Sequence, residues 1–190
     1  MKAGVAWVYF IFLTMCGTYA SEVIIQTEEG NVVVELDEEK APQTCAQFKS
    51  FIDAKVYQNS YFQRNNSGTL MGGKPGPKAV GFAGPNFSWE KAAPGEFQLK
   101  HVRGAVLMSR TIGACNPEKR SNSTMFCIHG GTFPQDDGEF TVFGRVVSGM
   151  EVVDRLIAEL QDGKNEKKRI NFDIRHKKIG AGGVALGPPA

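Results

Sequence analysis

A mainly β fold carrying two helices is predicted by three features of this 190-residue sequence. Glycine is abundant, at 22 residues, which predicts frequent turns. Apolar residues cluster in short, β-branched runs, and just two segments repeat them at helical spacing. A closed antiparallel barrel plugged by helices fits this pattern, and so does an open α+β sheet. With 42% hydrophobic and 22% charged residues the chain reads as one globular domain. Lys+Arg 22 against Asp+Glu 20 leaves a net charge of +2, too little for nucleic-acid binding.

The elements follow in order. Residues 23–27 and 31–36 are β-branched runs separated by Glu28-Glu29-Gly30, which predicts a hairpin. Ala41-Pro42 predicts a helix start, with proline in the first turn, where its missing N–H does no harm. Cys45, Phe48 and Ile52 then recur at helical spacing, with Phe51 widening the stripe. Gly, Pro, Asn and Ser between Asn59 and Pro94 predict loops and short strands. Residues 104–108 and 125–128 read as buried strands, and residues 140–147 as another. Ser148-Gly149-Met150-Glu151 has the form of a capping box, with Ser148 as N-cap and Val147 and Val152 placed as a hydrophobic staple. Met150, Val153, Ile157 and Leu160 make that helix's apolar stripe, and Gly163 follows its end. Residues 170–174 alternate as a last strand. The surrounding Lys164, Lys167, Lys168, Arg169, Arg175, Lys177 and Lys178 suit either a charge-protected edge or an anion- or glycan-binding patch.

The ends carry a different signal. Met1-Lys2 precedes an apolar run from Ala3 to Leu13, and Thr18-Tyr19-Ala20 offers small residues at a cleavage site. This predicts a signal peptide over residues 1–20, a domain over 21–179 and a flexible tail over 180–190. The run is shorter than the roughly 20 residues needed to span a bilayer. Cys45, Cys115 and Cys127 remain after cleavage, an odd number that allows one bridge at most, Cys115 with Cys127 closing a short loop. Asn65, Asn86 and Asn122 begin Asn-x-Ser/Thr acceptors for glycosylation.

Familiar catalytic patterns fail. His101, His129 and His176 are scattered without metal-ligand spacing, and no Gly-x-Ser-x-Gly is present. Gly72-Gly73-Lys74 is followed by Pro75, where a phosphate loop needs Ser or Thr.

A resemblance remains. Gly30-Asn31-Val32-Val33-Val34-Glu35-Leu36, then Ala41-Pro42-Gln43-Thr44 and Phe48, resembles the start of a cyclophilin-type peptidyl-prolyl isomerase. Tyr61-Phe62-Gln63-Arg64 is similar to the family's F-H-R, and Gly72-Gly73 to the end of its Q-G-G. Arg103-Gly104-Ala105-Val106-Leu107-Met108-Ser109-Arg110 resembles the R-G-x-x-x-M-A-R of bacterial-type members. Ser123-Thr124-Met125-Phe126-Cys127-Ile128 stands where the family carries x-S-Q-F-F-I. Val142-Phe143-Gly144-Arg145-Val146-Val147-Ser148-Gly149-Met150 is similar to V-F-G-K-V-V-x-G-M.

The resemblance implies a closed eight-stranded antiparallel β-barrel capped by two α-helices, and isomerisation of X-Pro bonds. It implies Arg64 as the catalytic residue and a substrate-binding set of Phe62, Thr69, Leu70, Met71, Ser109, Arg110, Met125, Cys127 and Phe140. The segment between Arg64 and Gly72 is one residue shorter than the family's. Gly68 or Thr69 therefore replaces its pocket aromatic, and Met71 its glutamine. Met125 and Cys127 replace a second glutamine and the pocket phenylalanine, and Gln135-Asp136 replaces W-L. The expected partners are proline-containing polypeptides, with no nucleic acid, no cofactor, no metal and no membrane once the signal is removed. The expected state is a monomer in the secretory pathway, secreted, lumenal or periplasmic. Because so much of the pocket differs, two functions are carried forward: an isomerase of weakened activity, and a cyclophilin-like module that binds peptide or a protein partner without turnover.

Overall fold

The computed structural model describes residues 20–63, 68–73, 92–161 and 168–177. Residues 1–19 of the expected signal segment, Arg64, Asn65, Asn86, Gly163, the basic residues Lys164, Lys167 and Lys178, and the C-terminal tail lie outside the described residues.

Eight strands form a closed barrel. They are β1 (Glu22–Thr27), β2 (Gly30–Leu36), β3 (Ser60–Gln63), β4 (Thr69–Gly72), β5 (Ala105–Met108), β6 (Phe126–His129), β7 (Val142–Ser148) and β8 (Arg169–His176). Around the barrel they run β1-β2-β7-β5-β6-β4-β3-β8, and β8 returns to β1. Every neighbouring pair is antiparallel. Period-two alternation turns Val23, Ile25, Val32, Val34 and Leu36 inward, all of them at most 1% exposed. Closure also corrects the reading of the last strand as an edge. β8 pairs with β3 through residues 169–172 and with β1 through residues 172–176, so it closes the barrel between them while Arg169, Asp173 and Arg175 face solvent.

Helix α1 (Pro42–Asp53) buries Cys45, Phe48, Phe51 and Ile52 against one end of the core. The Phe48 ring lies 4.8 Å from that of Phe143 and 5.6 Å from that of Phe126. Ala41 gives this helix no side-chain cap. Glu96 supplies one from a distant loop, its carboxylate accepting from the amides of Gln43 (3.1 Å) and Thr44 (2.9 Å). A negative group at a helix N-terminus also opposes the helix dipole favourably.

Helix α2 (Met150–Gln161) starts differently from the capping box expected of Ser148. Ser148 ends β7, and the carbonyl of Gly149 accepts the first helical hydrogen bonds, from Val152 (3.0 Å) and Val153 (3.2 Å). Gly149 has φ +87°, and a Cβ there would lie 2.2 Å from the carbonyl oxygen of Asn31. Close backbone approach to β2 therefore sets the helix entry, and it admits only glycine. Val147 is 42% exposed, so the staple with Val152 does not form. Val152, Val153, Leu156 and Leu160 face the core, while Met150 and Ile157 pack at its margin.

Cys45, Cys115 and Cys127 are all free thiols, Cys115 exposed and the other two buried. The bridge between Cys115 and Cys127 is thus absent. Burial pushes the Cys45 thiol up to about 12, and its Sγ–H donates to the carbonyl of Phe143 at 3.2 Å.

Candidate functional site

The strands that enclose the core carry a second apolar cluster on their outer face. Cross-strand partners line up as Gln63 with Met71, Met71 with Cys127, Cys127 with Leu107, and Leu107 with Val142. Directly opposed residues share a face, so this row crosses β3, β4, β6, β5 and β7 on one side of the wall. Ala105, Leu107, Cys127 and Val142 form a buried cluster, with Met71, Leu99 and Phe140 packed against it and half-buried. Met71, Leu99 and Phe140 are its solvent-reached edges. The Gln63 amide reaches across the row to the Met71 sulfur at 3.3 Å.

Arg110 packs on Phe140 and ties down its neighbour Glu139. The Arg110 guanidinium lies 5.1 Å from the Phe140 ring centroid. Arg110 also donates through Nε to the Glu139 carbonyl (2.6 Å) and through Nη2 to the Glu139 carboxylate (2.8 Å). Its side chain is only 5% exposed, so Arg110 positions Phe140 rather than offering a free charge to substrate. The Glu139 carboxyl is held below its usual range, first by the hydrogen bond from Lys119 and then by the charges of Lys119 and Arg110. Ser109 extends the ladder beyond β5, its N–H donating to the Met125 carbonyl at 2.9 Å. Met125 lies against the end of β4, where a Cβ on Gly73 would come within 3.1 Å of its Cα.

Met71, Cys127, Phe140, Arg110, Ser109 and Met125 are therefore brought to one side of the barrel. Thr69 shares the outer face, paired with His129 and buried. Phe62 and Leu70 do not join them, which corrects two of the expected substrate contacts. Both are fully buried in the barrel interior. The Phe62 ring packs 4.3 Å from that of Phe172 and 6.1 Å from that of Phe126. Each alternates with the outward residue next to it, so neither can face both ways. Asn122 is corrected as well. It is fully buried, its Oδ1 accepts from the Thr111 amide (2.8 Å), and its Nδ2 is enclosed, so the folded domain has no room there for a glycan.

Cys127 is no nucleophile. Burial first, and then the nearby Asp136 carboxylate, push its thiol up to about 12, so it stays protonated at neutral pH. A cleft of about 590 Å³ begins at the far margin of the same cluster, with Leu99, Ala105 and Val142 as part of its floor and Lys40, Arg103 and Arg145 among its rim.

Sequence reasoning missed Gln63, Leu107 and Val142 as members of the row. Val142 carried a signal, since it alternates with the core residue Phe143 at the start of the seven-residue β7, whereas Gln63 and Leu107 stand on four-residue strands too short to give one. It also missed a histidine pair. His101 and His129, far apart in sequence, meet with Nδ1 of the first 2.9 Å from Nε2 of the second, and Asp136 completes a group of donor atoms all within 4.8 Å of one another. His101 Nε2 lies 3.1 Å from the Phe140 carbonyl, which can only accept, so this nitrogen carries a proton. Burial, then the neighbouring His101, push His129 down to about 4 and keep it neutral.

Residues 22–179 match the family model described as cyclophilin type peptidyl-prolyl cis-trans isomerase/CLD. Peptidyl-prolyl cis-trans isomerase-like 3 of Gallus gallus is 34% identical over 138 residues, covering 70% of this chain and 80% of that protein. Its Homo sapiens namesake is 34% identical over 137 residues with the same coverage. A crystal structure of a Cryptosporidium parvum cyclophilin type peptidyl-prolyl cis-trans isomerase matches with a TM-score of 0.69 at 27% identity, covering 84% of this chain and 99% of that one. The structure determined in the presence of the dipeptide Ala-Pro gives a TM-score of 0.66 at 26% identity, covering 83% and 99%. The likeness of residues 103–110 to bacterial-type members gains no support from these matches.

Proposed function

Because the chain belongs to the cyclophilin-type peptidyl-prolyl cis-trans isomerase family and acts as a peptidyl-prolyl cis-trans isomerase on proline-containing peptides, we propose that its catalysis runs on the outer row of Met71, Cys127 and Phe140, with Arg64 as the cationic donor and with weakened activity. Twisting an amide costs about 18–20 kcal/mol, mostly lost resonance. At the twisted transition state the prolyl nitrogen regains its lone pair. A guanidinium N–H donated to that lone pair stabilises the twisted state more than either planar one, which is the condition for catalysis. No bond need break and no cofactor is required. Arg64 follows Gln63 directly in sequence, and Gln63 ends β3 within the row and reaches Met71. That adjacency, of the one arginine in the motif to an apolar outer row, is the observation that carries the reading.

Weakened activity follows from two side chains. Met71 offers a thioether where the family resemblance implies an amide, so it cannot orient a substrate backbone by donating a hydrogen bond. Cys127 offers a small thiol where a phenyl ring is implied, and burying a whole Phe is worth roughly 1.5–3 kcal/mol. A donor with a thinner supporting shell is held less firmly.

The test is a protease-free assay of X-Pro isomerisation. Arg64→Ala lowers kcat/KM by about 100-fold or more, the scale of losing one transition-state donor. An unchanged rate in Arg64→Ala overturns the mechanism, and saturable peptide binding without turnover by the wild type makes the chain a binding module instead.

Residues 1–20 are read as a secretory signal and the domain as a monomer. The apolar run of residues 3–13 and the start of the family match at residue 22 support the first. Intact-mass analysis of protein exported by a secretory host should give a chain beginning at Ser21. Among the described residues no helix is long and apolar enough to cross a membrane.

A further inference from the structure

We propose that His101, His129 and Asp136 bind one divalent transition-metal ion, zinc foremost, at a site behind Phe140. The three donors come from separate elements that the barrel brings together. His101 stands on the loop before β5, His129 ends β6, and Asp136 ends a single 3-10 turn, Pro134–Asp136. Their donor atoms lie within 4.8 Å of one another.

Three observations favour a metal over a merely structural pair. First, both imidazoles are almost wholly enclosed, His101 at 1% and His129 at 2% exposure, and Nδ1 of His129 has no hydrogen-bond partner, so its lone pair is free to take the proton that an ion at Nε2 displaces. Second, His101 is oriented as metal-bound histidines are. Its Nε2–H donates to a backbone carbonyl, that of Phe140, which leaves the Nδ1 lone pair aimed at His129. The peptide N–H of His101 is fixed too, by the Asp137 carboxylate at 3.1 Å. Third, the two nitrogens are 2.9 Å apart, and with metal–nitrogen bonds of about 2.0–2.1 Å a tetrahedral ion asks for about 3.3 Å between them. The ring centroids are 5.2 Å apart, so the nitrogens point straight at each other, and binding also turns the rings until both lone pairs meet the ion.

Two imidazoles and one carboxylate form a borderline donor set that suits zinc, copper, nickel or cobalt over magnesium or calcium, which need several oxygens. The ion takes the place of the proton between His101 Nδ1 and His129 Nε2, and that proton moves to the unpaired Nδ1 of His129. Both rings stay neutral and no proton is released. Asp136 is half-buried, so a fourth position is left for water. The site does not depend on how the isomerase works, and its test reads the metal directly.

The purified full chain, freed of metal by a chelator, is titrated with Co2+ and followed by its visible ligand-field absorption, then with Zn2+ to displace it. The expected result is one equivalent bound with a low-symmetry four- or five-coordinate spectrum and full displacement by zinc. Asp136→Asn and His129→Gln should each weaken binding by more than about tenfold, the least that loss of even an outer-shell partner costs at such sites. His176→Asn, which removes the exposed histidine paired with Asp53, should leave it unchanged. Asp136→Asn alters only a half-buried side chain, so its circular dichroism should match the wild type and keep the test valid if His129→Gln fails to fold. Absence of saturable binding, equal affinity in Asp136→Asn, or loss of binding only in His176→Asn overturns the site.

Discussion

The two faces of β4 and β6 are built from the same eight residues and do opposite work. Inward, Leu70, Phe126 and Ile128 are fully buried in a core of aromatic rings, and Gly72 leaves space for two of them. Outward, Met71, Cys127, Thr69 and His129 make a thinner cover of sulfur, hydroxyl and imidazole groups. Packing sets the inner residues so tightly that a single carbon matters. The outer ones are limited only by what lies on top of them. A strand can therefore lose much of a binding surface while its scaffold stays whole, which is how this chain keeps the barrel and departs from its family's pocket.

The comparison can be broken first from the inside. Phe126→Ala removes a ring that meets Phe48, Tyr57 and Phe62 edge-on, and should cost about 3–5 kcal/mol in a urea titration. A loss below about 1 kcal/mol would mean that the inner face is not the scaffold. Gly72→Ala is the smaller test. Its Cβ would lie 2.7 Å from Phe62 Cε1 and 2.9 Å from Phe126 Cζ, so overpacking by about 1–3 kcal/mol is expected, again by urea titration. On the outer face the effects should move from stability to rate. Met71→Gln changes a half-buried side chain at similar length and restores an amide to the row. Its unfolding free energy should change by less than about 1 kcal/mol. Its kcat/KM should rise by about tenfold, or roughly 1.4 kcal/mol of transition-state binding. A destabilised variant with unchanged kcat/KM would place Met71 with the scaffold.

The same alternation explains what the sequence could and could not reveal. The β1–β2 hairpin, α1 and β8 were legible because their apolar residues repeat with a clear period over six residues or more. Four-residue strands such as β4 and β6 are too short for period two to state which face is which. Motif likeness therefore drew Phe62 and Leu70 into the site together with Met71 and Cys127, although they sit on opposite faces of one wall. Ser148 looked like an N-cap because the rule reads side chains, whereas the helix entry is fixed by Gly149 meeting the backbone of β2. The histidine pair was invisible for another reason. Its members stand 28 residues apart and meet only because β5 and β6 are neighbours.

The central claim, that substrate lies on the outer row, is tested most directly by methyl NMR of the protein titrated with an Ala-Pro peptide. Resonances of Met71, Met125 and Leu107 should shift together and saturate, while those of Val102 and Val146 in the neighbouring cleft stay in place. Shifts confined to Val102 and Val146, with Met71 and Leu107 unmoved, would contradict the account.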